Sequence, residues 1–270
     1  MTRPRPAQEL RSLRKALQLL HAFTPATPEL TLTELASRLG MHKTTVYRIL
    51  ATLQAERFLH RDPVTRKYRL GITLFELGSL VQDVLELKRA ARPHLERLHE
   101  RSGETIHLAI LDDGSVLYVD KLESPRPLQM YSRVGRRAPA HCTALGKVLL
   151  AYLPSREVDA IVARRGLQRY TDRTISDLQT LQTHLSLVRQ RGYAVDNGEH
   201  EELIRCAAAP VRDHTGRVVA AVSITTIGVR LDPGRLHALI RMVCETATQI
   251  SYDLGYREMP SHQLQGGEPV

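Results

Sequence analysis

A cluster of basic and hydroxyl side chains lies in residues 31–50, beside small residues that suit a close crossing of two helices. Ala36 is small at the crossing point, and Gly40 permits a tight turn. Val46 and Leu50 anchor the second helix, which leaves the following residues on its outward N-terminal half: His42, Lys43, Thr44, Thr45, Tyr47 and Arg48. Basic side chains neutralise phosphate, and hydroxyl groups bond phosphate or base edges. The pattern predicts a helix-turn-helix in a DNA major groove. A helical hairpin for protein contact is the alternative.

A basic hairpin is predicted directly after these helices. Two short strands, at 58–60 and 67–70, flank a segment rich in turn-forming residues. The basic side chains of this hairpin include Arg61, Arg66 and Lys67. Three helices followed by a basic hairpin form a winged helix, whose wing lies along phosphates or in a minor groove. A solvated hairpin without a nucleic-acid contact is the alternative.

The charge of the chain is concentrated near its N-terminus. The formal net charge is +9 over 270 residues, and residues 1–70 hold 13 basic and 5 acidic side chains. Nearly all of the excess charge therefore lies in the first quarter of the chain. A localised basic block suits a polyanionic partner, most often nucleic acid. The alternative is a basic tail that only aids solubility, but this segment is patterned rather than repetitive.

Periodicity divides the chain into five parts. These are a flexible arm at 1–7, a winged helix-turn-helix domain at 8–71, a linker helix at 72–102, an α+β domain at 103–256 and a polar tail at 257–270. Thr33 is the predicted N-cap of the second helix, and Pro93 is expected to interrupt the linker helix. The leucine stripe of the linker helix, which includes Leu87, Leu95 and Leu98, is a candidate dimer contact.

The α+β part alternates strand and helix patterns. Strands are predicted at 105–111, 116–122, 128–134, 193–196, 204–213 and 217–225, and helices at 142–153, 155–164, 176–191 and 233–254.

Several functional classes are disfavoured by composition. No apolar run has the roughly 18 residues that a membrane span needs, and the N-terminal segment is amphipathic rather than signal-like. The three widely spaced cysteines argue against a disulfide framework and fit a reducing compartment, so the cytoplasm is the expected location. His141, Cys142 and Cys206 form no closely spaced ligand pair, so no metal or other cofactor is expected.

Three motifs in order carry a resemblance to a known family. The first is the helix-turn-helix at 31–50, the second is the segment 134–151 (VGRRAPAHCTALGKVLLA), and the third is 191–202 (RGYAVDNGEHEE), which continues into Arg205-Cys206. Over residues 8–256 the chain resembles the IclR family of bacterial transcriptional regulators. The resemblance implies a winged helix, a linker helix and a GAF-like effector-binding domain, assembled as homodimers or dimers of dimers. The third motif is similar to regulators of 2-keto-3-deoxygluconate and hexuronate catabolism, although Leu203 stands where relatives often have Gly.

The resemblance also implies an effector pocket for a small acidic metabolite. Its expected lining residues are Ala144, Leu145, Asp196, Cys206, Ser223 and Thr225, and Met130 is added from a neighbouring predicted strand. The residue types suit this role, because a helix N-terminus near Ala144 holds a carboxylate through backbone N–H groups. Ser223 and Thr225 alternate on one strand and face the same side. The alternatives are a buried inert cysteine, solvent-facing hydroxyls and an aspartate that only forms a turn.

The sequence therefore favours a DNA-binding transcriptional regulator, more a repressor than an activator, whose effector changes the spacing of two recognition helices on a pseudo-palindromic operator. Two other functions remain open. One is a hydrolase-like enzyme with Cys206 as nucleophile and His200 or His141 as base, although no catalytic signature surrounds that cysteine. The other is a DNA-binding protein without an effector.

Overall fold

The structure is a computed structural model that describes residues 10–24, 26–78, 82–125, 132–228 and 231–257. The chain divides into two compact units, with the boundary between Gln82 and Asp83. The predicted arm at 1–7, and the predicted tail after Arg257, lie outside the described residues. None of the helices described combines the length and the hydropathy that a bilayer-spanning helix needs.

The first unit is a winged helix. Its elements are α1 (Arg11–His21), α2 (Leu32–Leu39), α3 (Lys43–Ala55), β1 (Leu59–Arg61), β2 (Tyr68–Leu70) and α4 (Ile72–Gly78). β1 and β2 pair antiparallel, and Leu30 exchanges two backbone hydrogen bonds with Tyr68 of β2. The core is built by apolar side chains from every one of these elements except α4: Leu19, Phe23, Leu35, Val46, Leu50, Leu59 and Tyr68. The buried faces of α2 and α3 fix which side of α3 is turned outward.

The N-cap of α2 differs from the prediction. Thr31, not Thr33, caps the helix: its Oγ1 accepts from the Glu34 N–H at 3.3 Å, and Glu34 Oε2 accepts from the Thr31 N–H at 2.7 Å. This reciprocal pair is a capping box. The prediction placed the cap two residues late: Glu34 lies three residues after Thr31, whereas the residue three positions after Thr33 is Ala36, which cannot complete a capping box. At the other end Gly40 adopts a left-handed conformation, φ 59°, as predicted from its ease in that region.

The second unit is a six-stranded antiparallel sheet with helices on both faces. Its helices are α5 (Gln82–Ser102), α6 (Ala144–Ala151), α7 (Ser155–Arg165), α8 (Leu178–Arg191) and α9 (Pro233–Asp253). Its strands are β3 (Thr105–Asp112), β4 (Ser115–Leu122), β5 (Arg137–Pro139), β6 (Ala194–Asn197), β7 (Ile204–Arg212) and β8 (Val218–Ile227), in the order β5-β4-β3-β8-β7-β6. One face packs against α5 and α9, and the other against α6 and α8.

The region predicted as one linker helix contains two helices, α4 and α5, and α5 runs through Pro93 without the predicted interruption. Leu87, Leu95 and Leu98 are buried against the sheet of their own chain. This packing stabilises the helix on both sides of Pro93. The three leucines that were predicted to contact a second copy of the chain therefore pack within their own chain. The dimer contact itself stays a prediction.

Two further predictions in the second unit were wrong in detail. Helix α6 is shorter than the predicted 142–153, because Thr143 caps it and Tyr152 ends it. The predicted strand at 128–134 falls largely outside the described residues, and Ser132–Val134 are not in a strand. The short strand β5, which pairs with β4, was not predicted, because three residues are too few to show an alternating pattern.

Candidate functional site

The outward face of α3 carries the predicted DNA-contacting side chains. Val46 and Leu50 are fully buried, which turns the rest of the helix toward solvent. His42, Lys43, Thr44, Tyr47 and Arg48 are exposed, and Thr45 is half-buried. His42 is the N-cap residue of α3, so these side chains surround the N-terminal half of the helix.

Sequence reasoning missed a contribution from α1 to this surface. Ser12 and Lys15 of α1 line the same groove as Thr44, Thr45 and Arg48. The basic residue types of α1 were a signal, but only packing shows that Lys15 lies beside the outward half of α3.

The wing is ordered by its own side chains. Asp62 Oδ1 accepts the backbone N–H groups of Val64, at 2.8 Å, and Thr65, at 2.7 Å, which closes the turn. Arg66 is exposed at the tip with φ 59°, whereas Lys67 is half-buried. The guanidinium of Arg61 lies 5.3 Å from the centre of the Tyr68 ring and donates to the Arg66 carbonyl at 3.5 Å. Arg61 therefore stabilises the wing, and Arg66 is the basic group at its tip.

A cavity of about 270 Å³ opens in the second unit, between the sheet and the first turn of α6. It is lined by six of the seven residues predicted for an effector pocket, namely Ala144, Leu145, Asp196, Cys206, Ser223 and Thr225. Met130, the seventh, lies outside the described residues. The lining comes from distant parts of the chain, which the fold brings together around one space.

The first turn of α6 presents backbone N–H groups to the cavity. Thr143 fixes this turn, because its Oγ1 donates to the Pro139 carbonyl at 2.8 Å and accepts from the Gly146 N–H at 3.2 Å. Ala144 and Leu145 are the first two residues of the helix, where an N–H group has no carbonyl acceptor within the helix. Together with the helix dipole, these groups favour a carboxylate.

The sheet gives the cavity a polar floor. Cys206 pairs with Thr225 and with Asp196 across neighbouring strands, and Ser223 pairs with His107. Thr225 Oγ1 is hydrogen bonded to Cys206 Sγ at 3.2 Å and to His107 Nδ1 at 3.4 Å. Ser223 Oγ is buried and has no hydrogen-bond partner among the described residues. A buried hydroxyl without a partner costs about 1–3 kcal/mol, so a polar ligand group would be stabilised there.

Burial sets the charge of the cavity side chains. Burial raises the pKa of Asp196 to about 7, against the hydrogen bond that it accepts from the Glu199 N–H; the Glu199 charge contributes to the rise and the Lys147 charge opposes it. Burial lowers the pKa of His107 to about 3, so its ring is neutral at physiological pH. Burial and the neighbouring Asp196 both raise the pKa of the Cys206 thiol, which keeps it protonated. The floor therefore offers neutral hydrogen-bonding groups around one carboxyl that titrates near neutrality.

Several lining residues were not predicted as effector contacts. Those with hydrogen-bonding or ionisable side chains include His107, Tyr118, Ser132, Arg136, Tyr170, His200 and Glu201. The Tyr170 and His200 rings meet edge to face with centroids 4.9 Å apart and form one wall. Arg136 and Glu201 lie within the motifs that carried the family resemblance, so the sequence contained a signal for them. No cluster of three metal-ligating side chains occurs in the part of the chain that the structure describes.

Two family models match the chain. The model of the IclR helix-turn-helix domain matches residues 12–63, and the model of the bacterial transcriptional regulator IclR C-terminal domain matches residues 80–252. The chain belongs to the IclR family of bacterial transcriptional regulators. The predicted family, the α+β fold with an N-terminal winged helix and a GAF-like domain, and the predicted regulatory function are confirmed.

Relatives of this IclR-family regulator match most of its chain, both among curated proteins and among solved structures. The transcriptional regulator XynR of Escherichia coli is 36% identical over 247 residues, covering 92% of this chain and 98% of XynR. The regulator KdgR of Dickeya chrysanthemi is 40% identical over 232 residues, covering 86% of this chain and 76% of KdgR. The structure of an IclR homolog from Microbacterium hydrocarbonoxydans, complexed with 4-hydroxybenzoate, has a TM-score of 0.80 at 26% identity and covers 90% of this chain and 98% of that homolog.

Proposed function

We propose that this regulator is a repressor that binds a pseudo-palindromic operator as a homodimer or dimer of dimers, and that a small keto acid or sugar acid bound in the cavity lowers its operator affinity. The observation that carries the proposal is the cavity itself. It places the first turn of α6 opposite the buried, unpartnered hydroxyl of Ser223 and the carboxyl of Asp196. A ligand with a carboxylate at one end and a hydroxyl or carbonyl group at the other would satisfy all three.

The size and lining of the cavity support a small polar ligand. About 270 Å³ is near the lower end of ligand pockets, and most of the described lining residues carry polar side chains. The homolog complexed with 4-hydroxybenzoate binds a small carboxylic acid that also bears a hydroxyl group. We infer the same chemical class here, a small acid that also bears hydroxyl or carbonyl groups, because hydroxyl, thiol and carboxyl side chains line the cavity beside the first turn of α6.

The proposed operator contact uses α3 in a major groove and the wing beside it. Arg48 lies on the exposed face of α3 next to Thr44 and Thr45, so it can reach a guanine or a phosphate. Arg66 at the wing tip is a candidate phosphate contact. Because the target is chromosomal DNA, the cytoplasm is the expected location.

An enzymatic function is disfavoured by the state of the candidate nucleophile. A reactive cysteine needs a lowered pKa, whereas burial and Asp196 raise the pKa of Cys206. Its sulfur is hydrogen bonded to the Thr225 hydroxyl rather than activated by a base. We therefore propose a regulator without catalytic activity of its own.

The test is a binding titration with labelled DNA from the region upstream of the protein's own gene, at two salt concentrations, with and without a panel of keto, sugar and aromatic acids. Arg48→Ala should weaken operator binding by about 1–3 kcal/mol and leave acid binding intact. Ser223→Ala should bind the operator normally and lose most of the response to the acid. Arg156→Ala and Ser186→Ala, at exposed positions of α7 and α8, are the matched controls.

Each outcome has a distinct meaning. Operator binding that no acid alters would contradict the effector proposal. Unchanged operator affinity in Arg48→Ala would contradict the assignment of α3 as the recognition helix. Transcription from the same upstream DNA that increases on addition of the protein would replace repression by activation.

A further inference from the structure

A fully buried ion pair lies behind the cavity. Lys147, in the first turn of α6, has no exposed surface, and its Nζ donates to a carboxylate oxygen of Glu199 and to the Val195 carbonyl at 2.7 Å. A buried lysine is rare, because removing its charge from water is costly unless a partner compensates. This pair joins α6 to the chain segment that follows β6, and both elements contribute lining residues to the cavity.

The pair is also joined directly to Asp196. The backbone N–H of Glu199 donates to Asp196 Oδ1 at 2.7 Å. The Glu199 carbonyl accepts the Thr174 hydroxyl at 2.6 Å, and the Gly198 carbonyl accepts the Thr171 hydroxyl at 2.7 Å. Glu199 is therefore held by its side chain, its N–H and its carbonyl at the same time. Neither charge can move without displacing Asp196 or the first turn of α6.

We propose that Lys147 and Glu199 are positioning residues of the effector site, which hold Asp196 opposite the N-terminus of α6 and set the charge that its carboxyl presents to an acidic effector. The proposal rests on the proposed function, because it assumes that the effector is an anion. Lys147 and Glu199 themselves act through Asp196 and through α6, since neither lines the cavity.

Burial is the main cause of the high proton affinity of Asp196, and the ion pair modulates it. Burial raises the pKa of Asp196 to about 7 against the hydrogen bond from the Glu199 N–H, which lowers it; the Glu199 charge raises this pKa and the Lys147 cation lowers it. If the Glu199 charge were absent, an uncompensated cation would remain near Asp196 and would favour the carboxylate. The Glu199 charge therefore offsets the lysine and helps burial to keep Asp196 protonated near neutral pH.

The other ionisable groups near Asp196 contribute little change of charge around neutral pH. Burial raises the pKa of Tyr118, Cys142 and Cys206, which keeps them protonated, and lowers that of His141 and His200, which favours their neutral forms. Arg136 faces the same space as a permanent cation. Glu201 lines the cavity and burial raises its pKa as well, so it needs its own control.

The consequence is a proton-linked effector affinity. An anionic effector binds better when Asp196 is protonated, because a second negative charge in the cavity is then absent. For a carboxyl whose pKa is about 7, the protonated fraction falls about tenfold between pH 6 and pH 8. The dissociation constant of an acid effector should therefore rise by up to about tenfold over that range.

The decisive variants are Glu199→Gln and the double variant Lys147→Met/Glu199→Gln. Glutamine keeps an oxygen that accepts from Lys147 but removes the charge, whereas the double variant removes both charges. The pKa of Asp196 is followed in the ligand-free full chain by NMR of ¹³C-labelled aspartate carboxyl groups, with Asp196→Asn used for assignment. It should fall below about 6 in Glu199→Gln and return toward the wild-type value in the double variant.

The effector arm uses pyruvate and D-gluconate as probes, one keto acid and one sugar acid. With the pKa of Asp196 below about 6, Glu199→Gln should bind both probes at least about twofold more weakly than the wild type at pH 6 and about ninefold or more at pH 8, because the protonated fraction is smaller at each pH. The double variant should recover the wild-type affinities at both pH values. Glu201→Gln should keep the wild-type pH dependence, and operator binding reports correct folding of each variant.

The two arms separate the two proposals. The positioning role is overturned if the pKa of Asp196 is unchanged in Glu199→Gln. It is also overturned if this pKa falls further in the double variant than in the single variant, because a purely structural loss would grow with each substitution. The expected NMR shifts without binding of either acid would support the charge relation and contradict the proposed effector class instead.

Discussion

Gly146→Ala is expected to damage the effector site selectively, because α6 approaches the preceding turn too closely for a side chain. A Cβ atom on Gly146 would lie 2.2 Å from the Ala140 carbonyl oxygen and 2.3 Å from the Ala140 Cα. Both are backbone atoms, which cannot rotate away as a side chain would. The same residue donates its N–H to Thr143 Oγ1, so the crowding acts on the cap of the helix.

The magnitude follows from three opposing contributions. Crowding by one added methyl group costs about 1–3 kcal/mol. Weakening of the Thr143 cap adds about 1 kcal/mol, whereas alanine in place of glycine within a helix recovers about 1 kcal/mol. The net destabilisation of the second unit should therefore be about 1–3 kcal/mol. Displacement of the α6 amides from the carboxylate should also remove at least one charge-assisted hydrogen bond, worth about 1.5–3 kcal/mol or roughly tenfold or more in effector affinity.

The assay compares this variant with the same substitution at two other glycines. Gly71 belongs to the first unit, where a Cβ would lie 2.1 Å from the Arg57 carbonyl oxygen, and at Gly78 no atom lies within 4 Å. Urea unfolding, operator affinity and acid affinity are measured for each. Of the two affinities, Gly146→Ala should impair only that for the acid and Gly71→Ala only that for the operator, whereas Gly78→Ala should change neither. A Gly146→Ala protein with wild-type stability and acid affinity would refute the reasoning.

Two predictions concern stability. Thr31→Ala should lower the free energy of unfolding of the winged helix by about 1 kcal/mol, because it removes the cap of α2. Thr33→Ala, at an exposed position two residues later, is the control and should change this free energy little. Equal effects of the two substitutions in urea unfolding would contradict the capping assignment. Asp196→Asn should stabilise the second unit at pH 8, because burial raises the pKa of the native carboxyl to about 7 from its ordinary value of 3.8. Between these two values the folded state binds more protons than the unfolded state, so the Asp196 contribution to stability is lost as pH rises from about 4 to 7, on the order of 4 kcal/mol in total. The advantage of the asparagine variant should accordingly shrink toward pH 4, and a constant advantage across the pH range would exclude this origin.

The position of the capping box shows which features of the winged helix follow from local sequence and which depend on packing. The helices, the Gly40 turn and the basic hairpin follow from periodicity and turn chemistry within some twenty residues of one another. The cap of α2 was placed two residues late because threonine occurs at both positions. Thr31 prevails since Leu35 and Ala36 must both be buried, and that requirement sets where the first turn begins.

In the linker region, tertiary packing overrides a local sequence preference. Proline removes a backbone donor and usually ends a helix, so an interruption at Pro93 was the reasonable expectation. The burial of Leu87, Leu95 and Leu98 on one side of α5 outweighs this cost. The same burial explains why the apolar stripe of α5 is a poor indicator of self-association: a sheet of the same chain covers it.

The sequence by itself predicted the two-part architecture, the helix-turn-helix and six residues that line the cavity, because these are encoded in short motifs with fixed spacing. Only the tertiary structure decided which charges act together. Lys147 and Glu199 are 52 positions apart in the sequence, yet the fold buries both as an ion pair, and the Glu199 N–H donates to Asp196. Burial changes the energy of a charge far more than any neighbour along the chain does, and burial is a property of the assembled sheet and helices rather than of local sequence.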